Sequence, residues 1–273
     1  MPTKITIGSV EVVALVDLPF ELPWSMIFPG REASEIEPYQ KMYPFANGKN
    51  GLQTQAGAYA LRAQGKTVLV DSGLGPGPIA FLGGARGRLL DDMRDKGVDP
   101  DSVDIVAITH LHGDHVGWNL DGDRKPNFPN ARYLIPQGDW EYFNTMLETN
   151  AQMGQVMPLN DLGKMNLISG ETELTADVRA MPTPGHTPGH TSYLIASGGE
   201  KALITGDVAH HPGQLNETDW CPVFDENSSV SSESRKRVSE MLEADGAIAA
   251  FCHFPEPFGK VVRLEGKRVF QAL

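Results

Sequence analysis

A chain of 273 residues, 40% of them hydrophobic and 21% charged, can bury a sizeable core and fold as a globule. Its net charge of −12 argues against a polyanionic partner such as nucleic acid, and no apolar run is long enough to span a bilayer. The opening residues, MPTKITIGSVEVVAL, lack the basic region, apolar stretch and small-residue cleavage site of an export signal. Two cysteines, Cys221 and Cys252, make no disulfide framework, so a reduced, cytoplasmic compartment is the simplest reading.

Residues 10–16 and 58–62 read as strands, and TVLVD at 67–71 is a continuous β-branched run that stops at Ser72-Gly73. A helical pattern at 85–96 is followed by short apolar strands at 104–109 (DIVAIT) and 131–136, then by an amphipathic helix near 138–147. The order recurs with strands at 178–181, 192–196 and 202–205, a helix near 232–244, and closing strands at 247–252 and 261–264. Two rounds of strands and helices predict an α/β fold, a four-layer αββα sandwich, as a single domain over residues 1–273. The basic triplet Arg235-Lys236-Arg237 falls on the late helix and reads as a solvated face. Segment 17–55 stands apart: it is irregular, yet too aromatic for disorder, with Phe20, Trp24, Phe28, Tyr39, Tyr43 and Phe45. It either packs on the sheet as extra core or covers the active site as an apolar substrate wall.

All eight histidines lie between positions 110 and 253. The densest group, HLHGDH at 110–115, follows directly on DIVAIT, where a rigid strand hands over to a loop. In an extended stretch His110 and His112 project to the same side and can share one metal. Gly113 lets the chain turn so that Asp114 and His115 reach toward a second. The bland alternative makes Asp114 a helix cap, but three crowded imidazoles would then repel whenever protonated. PGHTPGH at 184–190 is a rigid double turn from which either His186 or His190 could ligate. Asp207 and His253 each end an apolar strand, and each alone is a weak signal.

Together these motifs resemble the metallo-β-lactamase superfamily over most of the chain: HLHGDH fits its H-x-H-x-D-H signature, and VLVDSG, PGHTPGH, TGD and the last histidine follow in family order. The resemblance implies His110, His112 and His186 on a first metal, Asp114, His115 and His253 on a second, and Asp207 bridging them. It selects His186 over His190, and leaves His190 and Asp71 as supporting residues that orient the ligands. Five histidines with two aspartates make zinc the default metal for both positions, with iron or manganese as alternatives.

Such a dinuclear centre lowers the pKa of a bridging water, and the resulting hydroxide attacks a carbonyl or phosphoryl centre. Asp114 is the candidate to carry the proton to the leaving group. The stretch after Asp207, GDVAHHPGQLNETDWCPVFD, resembles the branch holding quorum-quenching acyl-homoserine lactonases and methyl-parathion-hydrolase-like enzymes. Many lactonases of that branch carry a substrate-binding tyrosine three residues after the bridging aspartate. His210 stands there instead, either as a donor to the substrate oxygen or, with His211, as part of a polar loop. The first expectation is hydrolysis of a lactone or carboxylic ester with an apolar portion, and the second is aryl phosphotriester hydrolysis. A single-iron persulfide dioxygenase and a non-catalytic, metal-stabilised binding protein are the rivals. A homodimer is compatible with the sequence.

Overall fold

The computed structural model describes residues 2–147 and 150–273. One sheet takes its strands in chain order: β1 (Lys4–Ile7), β2 (Val10–Leu22), β3 (Leu52–Ala63), β4 (Lys66–Val70), β5 (Ile105–Ala107), β6 (Arg132–Pro136) and β7 (Met165–Ile168). The second runs from β8 (Glu173–Thr175) through β9 (Val178–Pro182), β10 (Thr191–Ser197), β11 (Glu200–Ile204), β12 (Ile248–Ala250) and β13 (Phe258–Leu264) to β14 (Lys267–Ala272). The first sheet is antiparallel from β1 to β4 and parallel from β4 to β7, whereas the second is antiparallel except where β11 pairs parallel with β12. The helices are α1 (Trp24–Ile27), α2 (Ala33–Met42), α3 (Leu89–Asp95), α4 (Gly113–Val116), α5 (Gln137–Asn144), α6 (Met157–Asp161) and α7 (Ser228–Asp245).

The four layers follow from strands that are apolar on both faces. Along β2, Val12 and Ala14 join Tyr193, Ile195, Ala202 and Ile204 of the other sheet in a core between the two sheets. The alternate residues Val13 and Leu15 face outward and pack with Leu89 and Met93 of α3 and Phe143 of α5. On the far side, Leu203 and Ala249 pack against Val238 and Leu242 of α7. The expected αββα sandwich is therefore the observed architecture. Among the described residues no helix is long and apolar enough to cross a membrane.

Three sequence expectations need correction. Segment 17–55 is mostly regular: β2 continues to Leu22 past a bulge at Val16/Leu18, α1 and α2 follow, and β3 begins at Leu52. Pro19 within the strand and Pro38 within α2 break the patterns that mark these elements in sequence. The basic triplet is not a solvated face throughout, because Arg235 is fully buried while Lys236 and Arg237 are exposed. His210 and His211 do lie on a loop after β11, but a buried one that does not face solvent.

His211 shows what joins segment 17–55 to the rest. Its ring lies edge-on to Trp24, Phe28 and Tyr43 at centroid distances of 5.5, 5.3 and 5.7 Å, and its Nδ1 accepts from Gly213 N. Burial pushes this imidazole down to about 3. The unfolded chain takes up the proton near pH 6.5 and the folded chain resists it, so stability falls as pH drops from about 6.5 toward 3. The slope reaches about 1.4 kcal/mol per pH unit for this one group. Urea melts at pH 7 and pH 5 should differ less for His211→Gln than for the wild type; an equal difference would contradict this assignment.

Candidate metal centre

The polar residues gather where β4, β5, β11 and β12 end. Asp71 follows β4, His110 to His115 follow β5, Asp207 follows β11 and His253 follows β12. His186 enters on the turn between β9 and β10. That turn needs glycine at position 185, where φ is +127° and a β-carbon would lie 2.1 Å from the Ser231 nitrogen of α7. Asp139 at the start of α5 ties the turn to the first motif, accepting from Leu111 N (2.8 Å), Thr187 Oγ1 (2.9 Å) and Gly189 N (2.6 Å).

The seven residues picked from the sequence converge into one centre. His112 Nδ1 lies 3.1 Å from His110 Nε2 and 3.0 Å from His186 Nε2. Asp114, His115 and His253 form a second group, with Asp114 Oδ2 at 3.7 Å from His115 Nε2 and 3.6 Å from His253 Nε2. Asp207 sits between the groups: Oδ2 is 3.3 Å from His186 Nε2 and 2.9 Å from His253 Nε2, and Oδ1 is 3.2 Å from His115 Nε2.

Hydrogen bonds on the outer sides of the rings decide what this packing requires. His115 Nδ1 donates to Asp71 Oδ2 at 2.8 Å, and His253 Nδ1 donates to the Gln55 carbonyl at 2.8 Å. In a neutral ring the inward Nε2 then holds a lone pair, facing the carboxylate oxygens of Asp207. Acceptor faces acceptor, and His115 Nε2 and Asp207 Oδ1 are buried with no hydrogen-bond partner among the described residues. Positive charge between them resolves the conflict. Burial opposes it, yet Asp207 and Asp114 hold His115 and His253 above their ordinary value. A metal cation there supplies that charge to all the rings at once, so the donor set fits metal binding. His110 and His112 are prepared for this as neutral rings: burial and then neighbouring imidazoles hold His110 well below its ordinary value and His112 down to about 3.

The two supporting residues are close behind. Asp71 adopts a left-handed backbone (φ +64°) while its carboxylate accepts from Thr109 N at 2.7 Å and from His115. His190 Nδ1 donates to the Thr183 carbonyl at 3.0 Å, and its Nε2 accepts from Asp207 N at 2.9 Å, so it braces the aspartate and has no free nitrogen for a metal. His210 Nε2 is 3.1 Å from Asp207 Oδ2, and its ring stacks on His253 at 4.8 Å. Burial pushes His210 down to about 4, leaving a neutral ring whose Nδ1 is buried without a partner among the described residues.

A cavity of about 310 Å³ opens onto this centre. His112, Asp114, Asp207, His210 and His253 form its polar side. Phe20, Leu22 and Met26 supply part of its apolar side, while Phe28, Tyr39 and Tyr43 from the same segment are buried in the core. Segment 17–55 therefore contributes both to the core and to the cavity lining, through different residues. Leu74, Phe81 and Phe224 complete the wall, and sequence reasoning missed all three. Phe81 lies on a glycine-rich loop with no periodicity to single it out.

Residues 53–253 match the metallo-β-lactamase superfamily model, and the chain belongs to that superfamily. Among characterised relatives, the N-acyl homoserine lactonase of Bacillus cereus is 27% identical over 223 residues, which is 75% of this chain and 83% of the lactonase. The uncharacterized protein YobT of Bacillus subtilis is 30% identical over 62% of this chain and 72% of its own. Two solved structures share the fold at low identity. The hydrolase AbOPH of the β-lactamase superfamily has a TM-score of 0.87 at 23% identity, over 99% of this chain and 96% of its own. AidC, a dizinc quorum-quenching lactonase with N-hexanoyl-L-homoserine bound as product, has a TM-score of 0.84 at 21% identity over the same shares. Family and relatives together support a metal-dependent hydrolase.

Proposed function

We propose that this protein is a dinuclear hydrolase, with zinc as its metal, that opens lactones or carboxylic esters bearing a short apolar group. Acyl-homoserine lactones, and hence quorum quenching, are the first substrates to test. The observation that carries this reading is the shared cavity: a partly aromatic wall faces the His/Asp centre across a space at the small end of ligand pockets. The relatives named as lactonases support the choice of reaction.

His110, His112 and His186 would hold one ion, Asp114, His115 and His253 the other, and Asp207 both. When bound, the ions supply activation of a water and polarisation of the acceptor oxygen. The chain's own residues do the rest. Phe20, Met26 and Phe224 hold the apolar arm and exclude water. Asp114 lines the cavity and takes the proton toward the leaving oxygen. His210 is buried and neutral, and turns the one N–H it has, the Nε2–H that faces Asp207, to the substrate oxygen in place of a tyrosine.

Asp114→Asn should lower kcat by about 10²–10⁴-fold; retention of both metals and full turnover would sink its role as proton carrier. His210→Phe should lower kcat by on the order of 10²-fold with both metals kept, and His210→Tyr should recover part of it. Loss of a metal in His210→Phe would instead make His210 a ligand, which its proximity to His186 and Asp207 allows. The substrate reading is tested by a panel of lactones of graded chain length, aryl esters and aryl phosphotriesters, after separate reconstitution with zinc, manganese and iron. Turnover of triesters with none of lactones reverses the ranking.

A further inference from the structure

Arg235 is fully buried on α7, where a guanidinium is costly unless its donors are met. Nε donates to Val208 O at 2.7 Å, Nη1 to Thr218 O at 2.8 Å, and Nη2 to Ser231 Oγ at 3.0 Å and Asp225 Oδ2 at 3.1 Å. The other oxygen of Asp225 accepts from His186 Nδ1 at 2.8 Å. Backbone bonds lock the same junction: Glu226 N donates to His186 O at 3.0 Å, and Asn227 N donates to Gly185 O at 2.9 Å. A continuous chain thus runs from α7 through Arg235 and Asp225 to His186, with a branch to the carbonyl next to Asp207.

We propose that Asp225 and Arg235 are a positioning pair that commits His186 Nδ1–H outward and aims its Nε2 into the first half of the centre. The proposal rests on the reading of His186 as a metal ligand. The second half of the centre contains the same device in another form, since Asp71 fixes His115 through Nδ1 at 2.8 Å. Each half therefore has one imidazole backed by a carboxylate, a contact that orients the ring and raises its basicity as a ligand. The two devices differ in what stabilises the carboxylate. Asp71 is met by the Thr109 backbone and hydroxyl, whereas Asp225 is met by the fixed charge of Arg235. A lysine could not replace Arg235, because one ammonium cannot reach the Val208 and Thr218 carbonyls, Ser231 and Asp225 together.

The test is zinc binding to the full chain, measured by competition with a chromophoric chelator, for the wild type, Asp225→Asn and the charge-neutral Asp225→Asn/Arg235→Gln. The double variant guards against misfolding of the single one, which leaves a buried guanidinium beside a neutral amide. The wild type should take up two equivalents. Both variants should bind one equivalent about 10–100-fold more weakly and keep the other unchanged, even though the zinc-free double variant melts lower for want of the Arg235 bonds to the Val208 and Thr218 carbonyls. Wild-type affinity for both equivalents in the double variant would overturn the proposal. So would equal weakening of both, because that marks a structural role only. A wild-type chain that fails to bind two equivalents would overturn the ligand reading itself, and this inference with it.

Discussion

Asp207→Asn is expected to abolish turnover to within measurement, a loss on the order of 10³-fold or more, and to strip the chain of at least one metal equivalent. Asp207 is the residue at which both halves of the centre meet. Its oxygens lie within 3.3 Å of His115, His186 and His253, whose outer nitrogens are all committed to other acceptors. An amide keeps the shape but removes the negative charge and turns one acceptor into a donor. Activity and metal content, assayed together on the purified variant, check this. Full metal content with wild-type kcat would remove Asp207 from the centre.

Asp17→Ala is expected to have the largest effect on stability, although Asp17 touches no proposed ligand. Its buried carboxylate accepts from Leu74 N at 2.7 Å, Leu89 N at 2.8 Å and Trp118 Nε1 at 2.8 Å, with a longer bond from Gly75 N at 3.3 Å. One side chain on the β2 bulge thereby holds the loop that carries Leu74 and Phe81 to the cavity. Gly73, at φ +61°, sits so close that a β-carbon there would lie 2.6 Å from Asp17 Oδ2. Removing the carboxylate strands several buried donors, a cost of about 3–5 kcal/mol. For a chain of this size that corresponds to a fall in Tm on the order of 10 °C. KM for a substrate with a short apolar arm should also rise, since the loop forms part of the cavity wall. A Tm within 2 °C of wild type, roughly the effect of a single surface change, would contradict this role.

The centre was more legible in the sequence than its supports. HLHGDH packs three imidazoles and a carboxylate into six residues after an apolar strand, and no surface pattern explains such crowding. His186 was ambiguous by spacing, and the structure separates it from His190 by what each nitrogen contacts: the Nε2 of His190 is already used by Asp207 N. Asp17, Asp139 and Asp225 carry no local signal, because each works through partners ten or more residues away in sequence. Arg235 misled for a related reason. A basic triplet on a helix reads as solvated, and only the tertiary arrangement reveals that one of the three points inward. The fold itself was readable wherever strands were continuous apolar runs, as in β4 and β11, and not where prolines interrupt them, as in β2 and α2.

The most direct measurement is metal stoichiometry set against lactone turnover. The metal-free chain is titrated with zinc, bound metal is counted by elemental analysis, and hydrolysis of an acyl-homoserine lactone is followed at each point. Two ions per chain are expected, with turnover appearing as the second equivalent binds and lost again on chelation. One tightly held iron per chain, with oxygen uptake and no hydrolysis of lactone, ester or triester, would contradict the dinuclear hydrolase.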